Sequence, residues 1–463
     1  MAEIAYLPRV KGRHWLLEGP TGRLFAQPWF DRWMYRMLGS YLFPISRLWA
    51  AATVSENDVA RFKAEAQLGR LDRAEESFTM ALTRDTCAAL RGKYQAANAW
   101  EAVFFGDTAA SHEALVQYEV ERRRAAAAFL GERTKFAPLI KGRRVDALRF
   151  DTPHPDEVED DYGNWLEDPD TAYPAPELPS EIEVSHKVES LAGSVSWLRF
   201  PAPGRVLRDT AWAKILEPRE AANAPTLLYC QGLGEETELC DRFLDETAPL
   251  AEMGIRVIRL EAPWHNRRLE PGRWSGEPFL GRAPGAQLNL FDTHLRELAI
   301  LIRWCRERYG TSVAIGGLSM GGLTAQLAAY RANFWPQDMR PDALFLAAVS
   351  EDMWEICFDG SIGKNAGVGE SVRKAGWDDT RLQRVRLLTN PTGQPAMDPS
   401  RIVMKLGRFD DVMPYARGRR LAERWGVPSE NLFERSHGHF TVPISMVRNA
   451  RAFARLAEIL RRL

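Results

Sequence analysis

From residue 184 onward, short apolar runs alternate with amphipathic stretches, and no other feature of the chain limits its fold as strongly. The runs fall at 211–216, 226–230, 256–260, 313–316, 343–348, 402–406 and 431–434. Runs of this length read as strands, and the segments between them carry helical spacing. Alternation of the two implies a mostly parallel sheet with helices on both faces. The segments 184–198 and 206–216 come first with no helix between them, so the sheet is expected to open with antiparallel strands.

Three parts are predicted along the chain. Residues 1–150 read as a helical region, because 56–135 is rich in Ala, Glu and Arg and carries helical period. Residues 151–183 read as a solvated linker: between Pro155 and Glu183 there are 11 acids, 5 prolines and no Lys or Arg. Residues 184–463 form the α/β part. The long gap between its strands at 343 and 402 is expected to hold a helical cap around 351–400.

Charge and cysteine content exclude several classes. With 61 basic and 62 acidic residues the net charge is -1, which leaves no positive field to hold a nucleic acid backbone. The 5 cysteines are scattered without CxxC spacing, which fits neither a disulfide framework nor a zinc knuckle and points to a reducing, cytoplasmic setting. No basic-then-apolar leader and no spanning apolar stretch is evident. Residues 1–55 carry 7 Arg or Lys and 10 aromatics, a mixture that can lie on a membrane surface. The helical spacing of Phe30, Met34, Met37, Leu38 and Tyr41, with Ile45, Leu48 and Trp49 beyond Pro44, fits core packing better.

The chemistry concentrates at Gly317-Leu318-Ser319-Met320-Gly321-Gly322, between an apolar strand and an Ala-rich helix. A serine presented on a sharp strand-to-helix turn needs small neighbours, and Gly317 and Gly321 supply them. Ser319 is the expected nucleophile. An alcohol requires a base to take its proton and a carboxylate to orient the base, and both are expected downstream. Asp410 follows a strand and is the favoured acid, with Asp411 as competitor and Glu351 or Asp352 as further alternatives. His439 is the expected base; its neighbour His437 is assigned to supporting the loop or contacting substrate. The amides of Met320 and of Leu233 or Gly234 are expected to form an oxyanion site, with Gln231 shaping that turn. The same residue types also serve in ordinary turns, caps and packing.

Assembled in this order, residues from about 190 to the end resemble the α/β-hydrolase superfamily. Within it, Leu-Glu-Ala-Pro-Trp-His-Asn-Arg-Arg-Leu-Glu-Pro at 260–271, followed by Gly-Leu-Ser-Met-Gly-Gly, is similar to the α/β-hydrolase domain-containing protein 18 family. Arg268 matches that family's loop arginine, while Asn266 stands where a glycine is usual. The resemblance implies the α/β-hydrolase fold and a serine hydrolase acting on an ester, thioester or amide; the narrower one implies a lipid-like acyl ester.

Trp264, His265 and Arg268, on the loop after the 256–260 strand, are candidate substrate contacts, with Trp274 and Phe279 nearby, and Gln231 is a further candidate contact at the end of the 226–230 strand. No cofactor and no metal is expected: the His437–His439 pair has no third ligand at metal spacing, and the glycines at 360–369 lack a phosphate-loop pattern. The reading is a small-molecule acyl esterase using an acyl-enzyme. Its rivals are a catalytically silent binding module on the same fold and an acyltransferase with the same residues.

Overall fold

The computed structural model describes residue 22 and residues 25–108, 110–190, 193–236 and 245–463. Upstream of the sheet run four main helices, α1 (Pro28–Met37), α2 (Phe43–Val54), α3 (Arg73–Phe104) and α4 (His112–Glu132), with a π-helical turn Leu38–Leu42 joining the first two. The ends of the long pair are set locally. Asp72 accepts the Glu75 amide while Glu75 accepts the Asp72 amide, and Ser111 accepts the Ala114 amide.

The acidic stretch departs from expectation. Pro155–Glu167 is a helix, α5, which buries Val158, Tyr162, Trp165 and Leu166 and turns Asp156, Glu157, Asp160 and Asp161 to solvent. Those four apolar residues recur at helical spacing, so the stretch is one amphipathic helix whose wet face holds the acids. Trp165 packs on Tyr162 and Tyr173 at ring-centroid distances of 5.3 and 4.9 Å. Charge density identified the outer face and hid the inner one.

Ten strands form one sheet: β1 (Glu183–Val184), β2 (Val188–Ser190), β3 (Gly193–Pro201), β4 (Thr210–Pro218), β5 (Thr226–Cys230), β6 (Arg256–Leu260), β7 (Val313–Leu318), β8 (Ala343–Ala347), β9 (Ile402–Gly407) and β10 (Leu432–Arg435). Their order is β1-β3-β4-β6-β5-β7-β8-β9-β10, with β2 paired to β3. Pairings among β1–β4, and of β4 with β6, are antiparallel; all pairings from β6 through β10 are parallel. This is the mostly parallel, helix-flanked sheet that the α/β-hydrolase resemblance implies.

Alternate residues of the central strands feed opposite cores. Leu228, Cys230, Ile258 and Ile315 join one cluster, beneath α6 (Gly285–Tyr309) and α7 (Met320–Arg331). Leu227, Tyr229, Val257 and Ala314 join the other, with Met446 of α8 (Thr441–Arg448) and Phe453 of α9 (Arg451–Arg461). Both faces are covered, as a parallel sheet requires. The antiparallel end is covered separately: Trp100 and Phe104 of α3 and Leu115 of α4 pack on Val188, Val195, Trp197 and Trp212.

Residues 1–150 are not set apart from the sheet. Ile45, Leu48 and Trp49 are fully buried and belong to the same cluster as α6 and α7. Between β8 and β9, four short helices (Met353–Phe358, Ser361–Ala366, Val368–Lys374 and Asp379–Thr389) fill the expected insertion. Truncating Trp165 to Ala is expected to destabilise the fold by about 3–5 kcal/mol, the usual cost of deleting a buried tryptophan. A change in unfolding free energy within about 0.5 kcal/mol of zero by denaturant titration, normal for surface substitutions, would contradict the packed arrangement of α5.

Candidate active site

Strand order reverses between β5 and β7, where the carboxyl ends of the strands leave a crevice. Ser319 sits there, directly after β7, with φ +56° and ψ -122°. That left-handed backbone is unusual for a side-chain-bearing residue and marks a strained turn. Its neighbours have to be glycine. A Cβ on Gly317 would lie 2.7 Å from the Cys230 carbonyl oxygen, and one on Gly321 would lie 2.0 Å from it.

His439 Nε2 is 2.9 Å from Ser319 Oγ, and His439 Nδ1 is 2.9 Å from Asp410 Oδ2. An ionised carboxylate only accepts, so Nδ1 carries the proton and Nε2 faces the hydroxyl with its lone pair. Asp410 is held on its other oxygen by the amides of Val412 (3.1 Å) and Met413 (2.9 Å). All three side chains are nearly buried. Burial by itself disfavours a charged imidazole, but the Asp410 carboxylate outweighs it, aided by Asp31 and Asp411, and the His439 pKa rises above its ordinary value.

The competing acids are engaged elsewhere. Asp411 is exposed beside Ser361, Asp352 caps the helix Met353–Phe358 and pairs with Arg386, and Glu351 pairs with Arg420 and Arg424.

Leu233 and Gly234 both reach the crevice, but their amides differ. The Gly234 N–H donates to His265 Nε2 at 3.2 Å, so it is committed to that bond. Met320 opens α7, where an amide has no partner within its own helix. His265 is fully buried. Its Nδ1 donates to the Pro263 carbonyl at 2.9 Å, and desolvation lowers its pKa to about 4, so it stays neutral while its Nε2 receives the amide of the Leu233 turn. Gln231 has a related part, accepting from the Asn266 amide nitrogen at 3.3 Å. Asn266 itself takes φ +50°, a conformation asparagine tolerates better than most residues.

Three of the other candidate substrate contacts lie away from the cavity wall over Ser319. Arg268 is buried in ion pairs with Asp209 (2.7 Å) and Glu297 (2.9 Å) and donates to the Glu261 carbonyl. Trp264 packs into the core beside its own turn, with φ +64°, and is absent from the cavity wall. His437 is half-buried and outside that wall, its pKa depressed to about 4 by burial and by Lys405. A side chain's type on a long loop does not reveal which way the loop turns it.

The cavity over Ser319 and His439 measures about 230 Å³. Trp274 and Phe279, noted as neighbours in the sequence, do line it. So do Leu38, Leu42 and Phe43 from the N-terminal helices and Ile356 and Ile362 from the insertion, none of which the motif pattern indicated. One polar feature of the wall is the Arg133–Glu236 ion pair at 3.2 Å.

No family model and no curated protein matches the chain. Among solved structures it is similar to acetyl xylan esterase 1 from Thermoanaerobacterium sp. JW/SL YS485, at 14% identity over 65% of this chain and 96% of that one, with a TM-score of 0.42. It is also similar to an S-formylglutathione hydrolase from Agrobacterium tumefaciens (14% identity, 60% and 99% covered, TM-score 0.39). Oligopeptidase B from Leishmania major is a third (13% identity, 58% and 37% covered, TM-score 0.41). Likenesses this distant carry no activity across.

Replacing Gly321 by Ala is expected to cost about 3 kcal/mol, the upper end for overpacking, because the intruding carbon meets rigid backbone. Urea unfolding measures it; an unchanged midpoint would mean that β5 and the turn are not in such close contact.

Proposed function

We propose that the protein is a serine hydrolase that cleaves a carboxylic ester, with thioesters and amides as related substrates, through an acyl-enzyme. The observation that carries this reading is the unbroken line from Asp410 through His439 to Ser319, at 2.9 Å for each step. His439 takes the serine proton as Oγ attacks the acyl carbon, and Asp410 holds the imidazole in the required tautomer and stabilises its charge. The amides of Met320 and Leu233 receive the negative charge that develops on the carbonyl oxygen. The imidazolium then protonates the leaving group, and water activated by the same nitrogen releases the acid. The wall formed by Leu42, Phe43, Trp274, Phe279, Ile356 and Ile362 suits an apolar acyl group.

A fluorophosphonate probe is expected to label the wild-type protein and to leave Ser319→Ala unlabelled; a folded wild type that stays unlabelled and inert toward short and long acyl esters would favour the silent binding module. Asp410→Asn is expected to slow turnover by about 10⁴-fold, the scale seen when this carboxylate is replaced in a serine triad. The base must be neutral to work. Because the His439 pKa is raised, the acid limb of kcat/KM is expected above the ordinary imidazole value of 6.5, falling toward it in Asp410→Asn. A wild-type limb at or below that value would contradict the assignment.

A second reading concerns the source of substrate. Phe25, Trp29 and Trp33 are 38%, 49% and 48% exposed, beside the exposed Arg32 and Arg36, at the start of the segment that goes on to line the cavity. That combination fits a bilayer's headgroup region. Among the described residues no helix is long and apolar enough to cross a membrane. The double substitution Trp29→Ala, Trp33→Ala is expected to weaken co-sedimentation with anionic vesicles by roughly tenfold or more, since burying one such ring contributes on the order of 1.5–3 kcal/mol. Equal sedimentation of the two proteins would dismiss membrane contact.

A further inference from the structure

We propose that Asp31, on α1, is a positioning residue for His439: its carboxylate clamps the loop that carries the imidazole and so ties the N-terminal helices to the chemistry at Ser319. This rests on the reading of His439 as the base and adds a residue to it.

Asp31 is the one residue of α1 that is buried, at 3% exposure. A carboxylate taken out of water needs donors, and among the described residues its donors come from the His439 loop. Oδ1 accepts the Phe440 amide at 2.7 Å and the Thr441 amide at 3.3 Å, and Oδ2 accepts the Thr441 hydroxyl at 2.8 Å. The Gly438 amide in turn donates to Thr441 Oγ at 2.8 Å. The amides on both sides of His439 are therefore fixed by one network, directly at 440 and through Thr441 at 438. Charge-assisted bonds of this kind are the stronger ones.

Two further contacts show that the approach is built in. A Cβ on Gly438 would lie 2.4 Å from the Asp31 carboxyl carbon, so glycine between the two histidines is what admits the carboxylate. Four residues along α1, the Tyr35 ring lies 5.4 Å from that of Phe440 at 63°. The cap residue of α8, Phe440, offers no side-chain acceptor of its own; the acceptor arrives from α1 instead.

Among the described residues, Asp410, Asp31 and Asp411 face His439, and all three favour its protonated form. Around Asp31, burial raises the carboxyl pKa, opposed by Thr441, Phe440 and His439. Replacing Asp31 by Asn keeps an acceptor oxygen and removes the charge, which separates the clamp from the electrostatics.

The test compares the full-length wild type with Asp31→Ala and Asp31→Asn, by fluorophosphonate labelling rate across pH, by NMR titration of the His439 imidazole, and by thermal unfolding. Asp31→Ala is expected to label more slowly by on the order of 10²-fold, as for a displaced catalytic group. Asp31→Asn is expected to recover most of that rate, while His439 and the acid limb of labelling both move to lower pH. A carboxylate that only capped α8 would change the unfolding temperature and leave the His439 titration where it was; that result, or wild-type labelling by Asp31→Ala, overturns the proposal. Should the Ala variant not fold, the Asn variant decides through the titration. A wild type that does not label removes the hydrolase reading, and the titration still judges Asp31 by itself.

Discussion

The carbonyl of Cys230, at the end of β5, occupies the space where a side chain at 317 or 321 would begin. That contact sets the rest of the site. It brings the end of β5 against the turn after β7, so Ser319 adopts its left-handed backbone with its hydroxyl at the sheet's edge. The loop that leaves β5 from the same point carries Leu233, which is thereby placed beside Met320. A pair of strands packed less closely would not present the hydroxyl in this way.

Around this contact the protein spends buried polar groups on orientation. His265, neutral and fully buried, holds the Gly234 amide; Val412 and Met413 hold Asp410; Asp31 holds the amides flanking His439. Each of these site groups thus rests on fixed partners, which keeps its geometry from loosening. The N-terminal helices belong to those partners and to the cavity wall, and Trp49 shares the core of α6 and α7. A helical region that the chain's composition sets apart is here part of one packed body.

Parts of this were legible from the residues in order. The alternation of strand and helix after 184 gave the parallel sheet, and the glycines around Ser319 gave the turn, because both depend on neighbours within a few residues. Asp410 and His439 follow strands whose positions were already readable. The side chains placed away from the cavity were less legible for one reason. Arg268, His437 and Trp264 lie on loops, where type shows what a side chain can do and nothing shows where it points. α5 was obscured because a count of acids is blind to which face carries them.

Local pattern by itself determined the strand–helix alternation, the strained serine turn and the order of serine, acid and histidine, since backbone sterics and periodicity act over short spans of chain. Tertiary structure alone decided that Asp410 and not Asp411 meets the imidazole, that the Gly234 amide is committed to His265, and that Asp31 comes to lie against Gly438. Those outcomes join segments up to about 400 residues apart, and which buried groups meet is settled by the packing of whole layers, where each polar atom leaving water must find a partner.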